Sequence, residues 1–487
     1  EYRYISPSKT FCERLCLVQF WNATAEFYPP WLAPNTVTLF GYFCSVAVFI
    51  LTLTYGPEFN SNENFPSWYY LVVAFLMFLY QTADGSDGPQ ARRMKCGSAL
   101  GELFDHGVDA VVTSSIYLVG SQLSGTGLHS PIAPFVMVAT VSAFFFSNAS
   151  LLHTSRQIFN DLDAQEIQIV VQLSLVITYF FGPEIWSTAL PVPHFFTSFV
   201  CQQETKTFAN AIEMNCKNST ILLRMCMNVG VTLFAVYNTV DACQTVTQHY
   251  KTMAMTTTTN IATTATTAGT AGTTATGRSL SEFWQQVSSM LMLFVLIGVS
   301  WYVSATAAAT GNNVYALRLW FMTCAFAFAD HVNHILVLRV AKIPFPTWIR
   351  TRCFWLLTLF ILWSHVGNQV NEEKISWIHQ SAVEHGETGR FVICCASMAS
   401  HFYYSYTVGG AIAQRNNWMD DIKEKRSRMA IYSWMILAFL FVIWNYVLFP
   451  LLGYPTAYTD YPSLHLIGFA VYSGPVQMGL SLGVVVF

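Results

Sequence analysis

Four aspartates in one short stretch have the spacing to do chemistry. They are Asp84 and Asp87, then Asp105 and Asp109, within DGSDGPQARRMKCGSALGELFDHGVD. Carboxylates three or four residues apart on a helix share a face, so two neighbouring helices would present all four to one point. Unpaired, so much negative charge would repel itself or take up protons. The natural partner is a hard divalent cation with oxygen ligands, Mg2+ or Mn2+, and four acids can serve two such ions. Gly88 sits one turn after Asp84 and Gly101 one turn before Asp105, which leaves no side chain where a bulky ligand would approach backbone. Arg92 adds a planar donor fork suited to a phosphate oxygen. Together these residue types describe a diphosphate site.

Two neighbours extend the set. His106 follows Asp105 and sits one turn after Glu102, so the two can interact on the flank beside the metal face. An imidazole titrating near neutrality and oriented by a carboxylate is suited to taking a proton from a nucleophile, and a purely structural histidine is the plainer alternative. Asp330, His331 and His334 form a second polar cluster with metal-like spacing, and lacking further acids nearby it reads as a packing or lipid-headgroup feature.

The elements that must position these groups are membrane helices. The chain has 487 residues, 53% hydrophobic and 10% charged, and contains many apolar segments about 20 residues long, the length that crosses a bilayer. The fold class is therefore all-α and polytopic, and a cluster of acids at membrane depth, each costing roughly 3 kcal/mol, needs a function. A net charge of −3 argues against a nucleic-acid surface. Residues 1–34 mix aromatic and charged side chains and suit an amphipathic segment lying in the interface. Spans are expected at about 35–55, 68–91, 98–123, 131–152, 166–186, 219–242, 286–308, 314–339, 351–366 and 391–413, ten in all, with two further apolar runs at 429–452 and 464–487. The carboxylate pairs fall at the end of the second span and the start of the third, flanking the basic tract Arg92-Arg93-Met94-Lys95, which marks a cytosolic loop. No cleavable leader is read, so the first span would act as the insertion signal. With Glu1 first and an apolar run stopping at Phe487, the chain reads as clipped at one or both ends.

The Thr/Ala/Gly tract 256–277 is low-complexity and is expected to be a disordered cytosolic insertion. Twelve cysteines are scattered without zinc spacing, and Cys201 and Cys216 could share a lumenal loop as a disulfide. Asn218 heads an Asn-Ser-Thr glycan acceptor pattern.

Asp84, Asp87, Gly88, Ala91, Arg92, Gly101, Asp105 and Asp109 match, with every spacing met, the D-x2-D-G-x2-A-R-x8-G-x3-D-x3-D signature of the CDP-alcohol phosphotransferase family. QARR, GELFDHG and APNTVTLFG at 33–41 resemble its eukaryotic choline/ethanolamine branch. Pro89 stands where close relatives have lysine. The resemblance implies a catalytic core at 35–187, further transmembrane helices at 188–415 carrying the lipid site and a dimer interface, and a C-terminal extension at 416–487. It implies transfer of phosphocholine or phosphoethanolamine from CDP-choline or CDP-ethanolamine to diacylglycerol, with release of CMP, in the endoplasmic reticulum or Golgi membrane with the active site facing the cytosol. Asp84, Asp87, Asp105 and Asp109 would hold the metals, Gly88, Arg92 and Gly101 would receive the nucleotide, and His106 oriented by Glu102, or alternatively Asp109, would be the base. Asn35, by itself readable as a helix N-cap, becomes a nucleotide contact on this resemblance. A sister transferase using CDP-diacylglycerol as donor and, in a different class, a cation transporter with intramembrane carboxylates are the alternatives.

Overall fold

The computed structural model describes residues 9–56, 65–123, 127–154, 160–192, 215, 220–263, 278–309, 316–341, 355, 357–362 and 393. A π-helical turn at Glu13–Leu17 leads into α1 (Val18–Phe27). Helix α2 (Pro34–Tyr55) opens with a proline at its first position, where no intrahelical N–H is needed and the fixed φ already suits the helix. Helix α3 (Ser67–Met94) carries Pro89 inside its last turns and stops at Lys95, whose left-handed backbone (φ 53°) brings Cys96 N–H back onto Ala91 C=O at 3.1 Å. Helix α4 (Ala99–Leu123) starts after Ser98, whose hydroxyl accepts the Gly101 N–H at 3.0 Å as an N-cap. So short a reversal sets the end of α3 beside the start of α4, which is why the two Asp pairs can meet.

Helices α5 (Ala133–Thr154) and α6 (Ala164–Phe181) follow, the latter begun by a reciprocal capping box between Asp163 and Glu166. After a short 3-10 turn, β1 (Ala189–Pro191) pairs antiparallel with β2 (Thr220–Leu222), in the register Leu190 opposite Ile221. This two-stranded piece is the one departure from an all-helical reading among the described residues. Helices α7 (Leu223–Thr263), α8 (Leu280–Ala309) and α9 (Ala316–Ala341) complete them.

Packing places α2 and α6 on α3, α1 across the C-terminal turns of α3, α9 against α4, and α5 against α7. Where side chains are small the backbones close in, as at Gly41, where an added Cβ would stand 3.0 Å from that of Ala83. Helix α9 is well enclosed, with 94% of its apolar window buried. Tyr117 of α4 and Phe49 of α2 each stack on Phe321 of α9, at 6.1 and 6.5 Å between ring centroids. Two buried histidines in this packing are paired, as burial in an apolar medium favours. His153 Nδ1 meets Tyr250 Oη at 2.8 Å and its Nε2 meets Gln286 at 3.2 Å, while His331 Nε2 meets Ser289 Oγ at 3.0 Å and its ring stacks on Phe145.

Among the described residues, five helices are long and apolar enough to cross a membrane: 34–52, 133–154, 164–181, 280–306 and 316–339. The protein is a multi-pass, mainly helical membrane protein. Helices α3 and α4, with more polar sequences because of the acids they carry, fall outside that set although they have spanning length. Helix α7 runs as far as Thr263, into the tract expected to be disordered, because extending an established helix costs little per residue. The rest of that tract, Cys201, Cys216, Asn218, the two C-terminal runs, more than half of the expected span at 351–366 and all but residue 393 of that at 391–413 lie outside the described residues.

Candidate active site

The site is built where the C-terminal turns of α3 face the N-terminal turns of α4. One carboxylate oxygen each from Asp84, Asp105 and Asp109 lies within 4.8 Å of the others. Oxygens this close, from three acids, call for positive charge between them, from a cation or from protons. Asp105 Oδ1 is buried with no hydrogen-bond partner, and Asn35 Nδ2, at the first turn of α2, is a buried donor in the same condition. An all-oxygen set with an orphaned buried lone pair fits a hard divalent cation.

The flanking residues hold the acids in place. Asp87, 6% exposed, accepts a hydrogen bond from Thr38 Oγ1 of α2. Tyr80 donates to Asp109 Oδ1 at 2.8 Å. His106 Nδ1 lies 3.9 Å from Asp109 Oδ2. Glu102, expected to orient His106, is paired with the guanidinium of Arg339 from α9. Spacing puts Glu102 and His106 on one flank, but a full positive charge arriving from another helix is the stronger attractor for a carboxylate.

A cavity of about 590 Å³ is lined by every residue that the sequence singled out for the site: Asn35 on α2, Asp84, Asp87, Gly88 and Arg92 on α3, and Gly101, Glu102, Asp105, His106 and Asp109 on α4. At Gly88 an added Cβ would meet only Arg92, at 3.4 Å, and at Gly101 only Ser98 and Asn35, at 3.4 and 3.5 Å, so both positions have open space on the cavity side. Arg92 is exposed at the cavity wall. Part of the lining is apolar, with Ile116, Phe144, Val231 and Phe234. Lys9, Glu13 and Asp163 also line it, and burial pushes the Asp163 carboxyl up to about 6 against the N–H bonds it accepts from Ala164 and Asn160.

Sequence reading passed over four residues of this arrangement. Thr38 lies one turn after Asn35 and Tyr80 one turn before Asp84, so helical spacing from the flagged positions could have found them. Trp21 of α1 and Arg339 of α9 carry no local signal. Trp21 lays its indole on Gly85, beside Asp84, where a Cβ would stand 2.1 Å from the ring.

Residues 31–200 match the family model for CDP-alcohol phosphatidyltransferases. Over 202 residues the chain is 33% identical to uncharacterized CDP-alcohol phosphatidyltransferase class-I family protein 2 of Dictyostelium discoideum, covering 41% of this chain and 48% of that one. It is 32% identical over 192 residues to cholinephosphotransferase 1 of Danio rerio, covering 39% and 50%. To choline/ethanolaminephosphotransferase 1 of Saccharomyces cerevisiae it is 34% identical over 193 residues, covering 39% and 48%. The chain thus spans about half the length of the curated relatives it matches. Signature, converging carboxylates and matched segment agree: residues 31–200 carry a CDP-alcohol phosphatidyltransferase segment, similar in sequence to choline/ethanolaminephosphotransferases.

Proposed function

We propose that the protein transfers phosphocholine or phosphoethanolamine from CDP-choline or CDP-ethanolamine to the free hydroxyl of diacylglycerol, yielding phosphatidylcholine or phosphatidylethanolamine and CMP. The observation that carries this reading is the convergence of Asp84, Asp105 and Asp109 in one cavity with His106 on its wall. When bound, Mg2+ or Mn2+, as a pair of ions, would neutralise the pyrophosphate and stabilise the leaving oxygen. Asp84, Asp87, Asp105 and Asp109 would hold it, with Thr38 and Tyr80 fixing two of those carboxylates.

The protein's own residues then position rather than react covalently, as phosphoryl transfer requires. Arg92 steadies a phosphate oxygen, and Asn35, Gly88 and Gly101 make room and hydrogen bonds for the nucleotide. The acceptor oxygen attacks the β-phosphorus, the bond from that phosphorus to the bridging oxygen breaks, and CMP departs carrying the electron pair. The hydroxyl proton passes to the imidazole of His106, and Asp109 is the nearby carboxylate that steadies the resulting charge. In this reading the enzyme is a homodimer in the endoplasmic reticulum or Golgi membrane, with ten spans, a surface-lying N-terminal segment, and its site open to the cytosol beside the Arg92–Lys95 tract.

The test is the purified protein in lipid with Mg2+, labelled CDP-choline or CDP-ethanolamine, and diacylglycerol. CMP release with a labelled phospholipid is expected. Turnover only with CDP-diacylglycerol and a polar alcohol would move the protein to the sister reaction, and cation flux without CMP would refute the enzyme altogether. Headgroup competition in the same assay separates choline from ethanolamine.

A further inference from the structure

We propose that Arg339 is a positioning residue for this site, acting from outside the segment that the family model matches. The inference rests on the phosphotransfer reading above. Helix α9 runs antiparallel to α4, and polar or aromatic contacts tie the two along their length. Glu102 pairs with Arg339, the backbone at Gly107 approaches Asn333 so closely that a Cβ would lie 3.1 Å from its Oδ1, and Tyr117 stacks on Phe321. Gly107 follows His106 directly, and Glu102 precedes it by one turn, so the imidazole is bracketed by two contacts with the same helix.

The anchor is itself fixed. Arg278 donates to the Leu338 carbonyl at 2.8 Å and lies 3.4 Å from Glu282, which holds the end of α9 where Arg339 leaves it. Arg339 therefore presents its charge from a rigid base to a carboxylate that is 8% exposed and lines the cavity. A planar guanidinium sets the orientation of a carboxylate as well as its charge. The cavity wall carrying Glu102 and His106 thus takes its geometry from α9, and misplacement by about an ångström is enough to cost on the order of 100-fold in rate.

The experiment uses the full chain in lipid, first establishing CMP release by the wild type, whose absence would sink the phosphotransfer reading and not this one. Given activity, Arg339→Met is expected to lower kcat by about 10- to 100-fold with KM for the CDP-alcohol within about twofold, and Arg339→Lys to recover much of the loss. Rates are taken per folded protein, from the monodisperse fraction. Should Arg339→Met not fold, the pair Glu102→Gln plus Arg339→Met, which leaves no unpaired charge, is compared with Glu102→Gln alone. Equal kcat in those two supports action through Glu102. An unchanged kcat in Arg339→Met, a loss confined to KM, or a double variant about tenfold slower than Glu102→Gln would each overturn the proposal.

Discussion

Gly85→Ala is the most incisive perturbation of the cavity wall. The added methyl would stand 2.1, 2.3 and 2.6 Å from Cε2, Cδ2 and Nε1 of Trp21, whereas carbon atoms in contact rest about 3.5–4.0 Å apart. The ring must therefore retreat by about 1.5 Å. It is rigid and 6% exposed, and α1 cannot slide with it freely. Arg93 donates to the carbonyls of Ala25 and Tyr28, and Tyr28 Oη is 2.8 Å from Ser86 Oγ. Overpacking a fitted contact costs about 1–3 kcal/mol, and expelling the indole entirely would forfeit about 3–5 kcal/mol. The chain takes the cheaper route, so α1 should be loosened by about 2–3 kcal/mol, a shift in its docking equilibrium of roughly 30- to 150-fold. Amide exchange over residues 18–27 reads this directly, and turnover should fall with it, because Trp21 and Val18 line the cavity. In a Trp21→Ala background the same substitution should be nearly silent. Wild-type protection over 18–27 together with wild-type turnover in Gly85→Ala would refute the reasoning.

Further outcomes follow from the same geometry. Asp105→Asn should reduce divalent-dependent CMP release by at least about 1,000-fold, and chelation of divalent ions should abolish turnover in the wild type and be reversed by adding Mg2+, as a rate assay will tell. His106→Ala should lower kcat by about 100- to 10,000-fold, and near-wild-type turnover would transfer the base to Asp109, testable by Asp109→Asn. Thr38→Val removes the hydroxyl that Asp87 accepts from, and should raise the Mg2+ concentration needed for half-maximal rate by about tenfold, a loss of about 1.4 kcal/mol. Asp163 is raised in the fold to about 6 from an ordinary 3.8, so ionising it disfavours the folded form. Its contribution is most favourable below about pH 4 and is lost as pH rises through about 6, by at most about 3 kcal/mol, so amide protection at the first turn of α6, taken relative to the intrinsic exchange rate at each pH, should rise on acidification in the wild type and stay flat in Asp163→Asn.

The converging acids were legible because helical spacing is a local property, and a tight reversal between α3 and α4 leaves them little choice but to face each other. Ser98 and Lys95 complete that reversal with caps that short-range chemistry explains. The glycines were half legible. Gly88 and Gly101 do border open space, but Gly85, one residue from Asp84, is the position where another helix presses on backbone, and nothing local distinguishes it from its neighbours. Likewise Glu102 has two candidate partners, one four residues away and one from α9 far along the chain. Only the fold reveals that the distant arginine reaches it. The run of α7 to Thr263 escaped notice because composition reports whether a segment can bury a core, not whether a helix already under way will continue through it.

The antiparallel seam between α4 and α9 has a consequence for anyone wishing to shrink this protein. A version trimmed to residues 31–200 would keep every signature aspartate yet turn a bare glycine notch and an uncompensated glutamate towards lipid. A miniature catalyst drawn from this chain has to bring residues 316–341 along, fused or supplied as a second polypeptide.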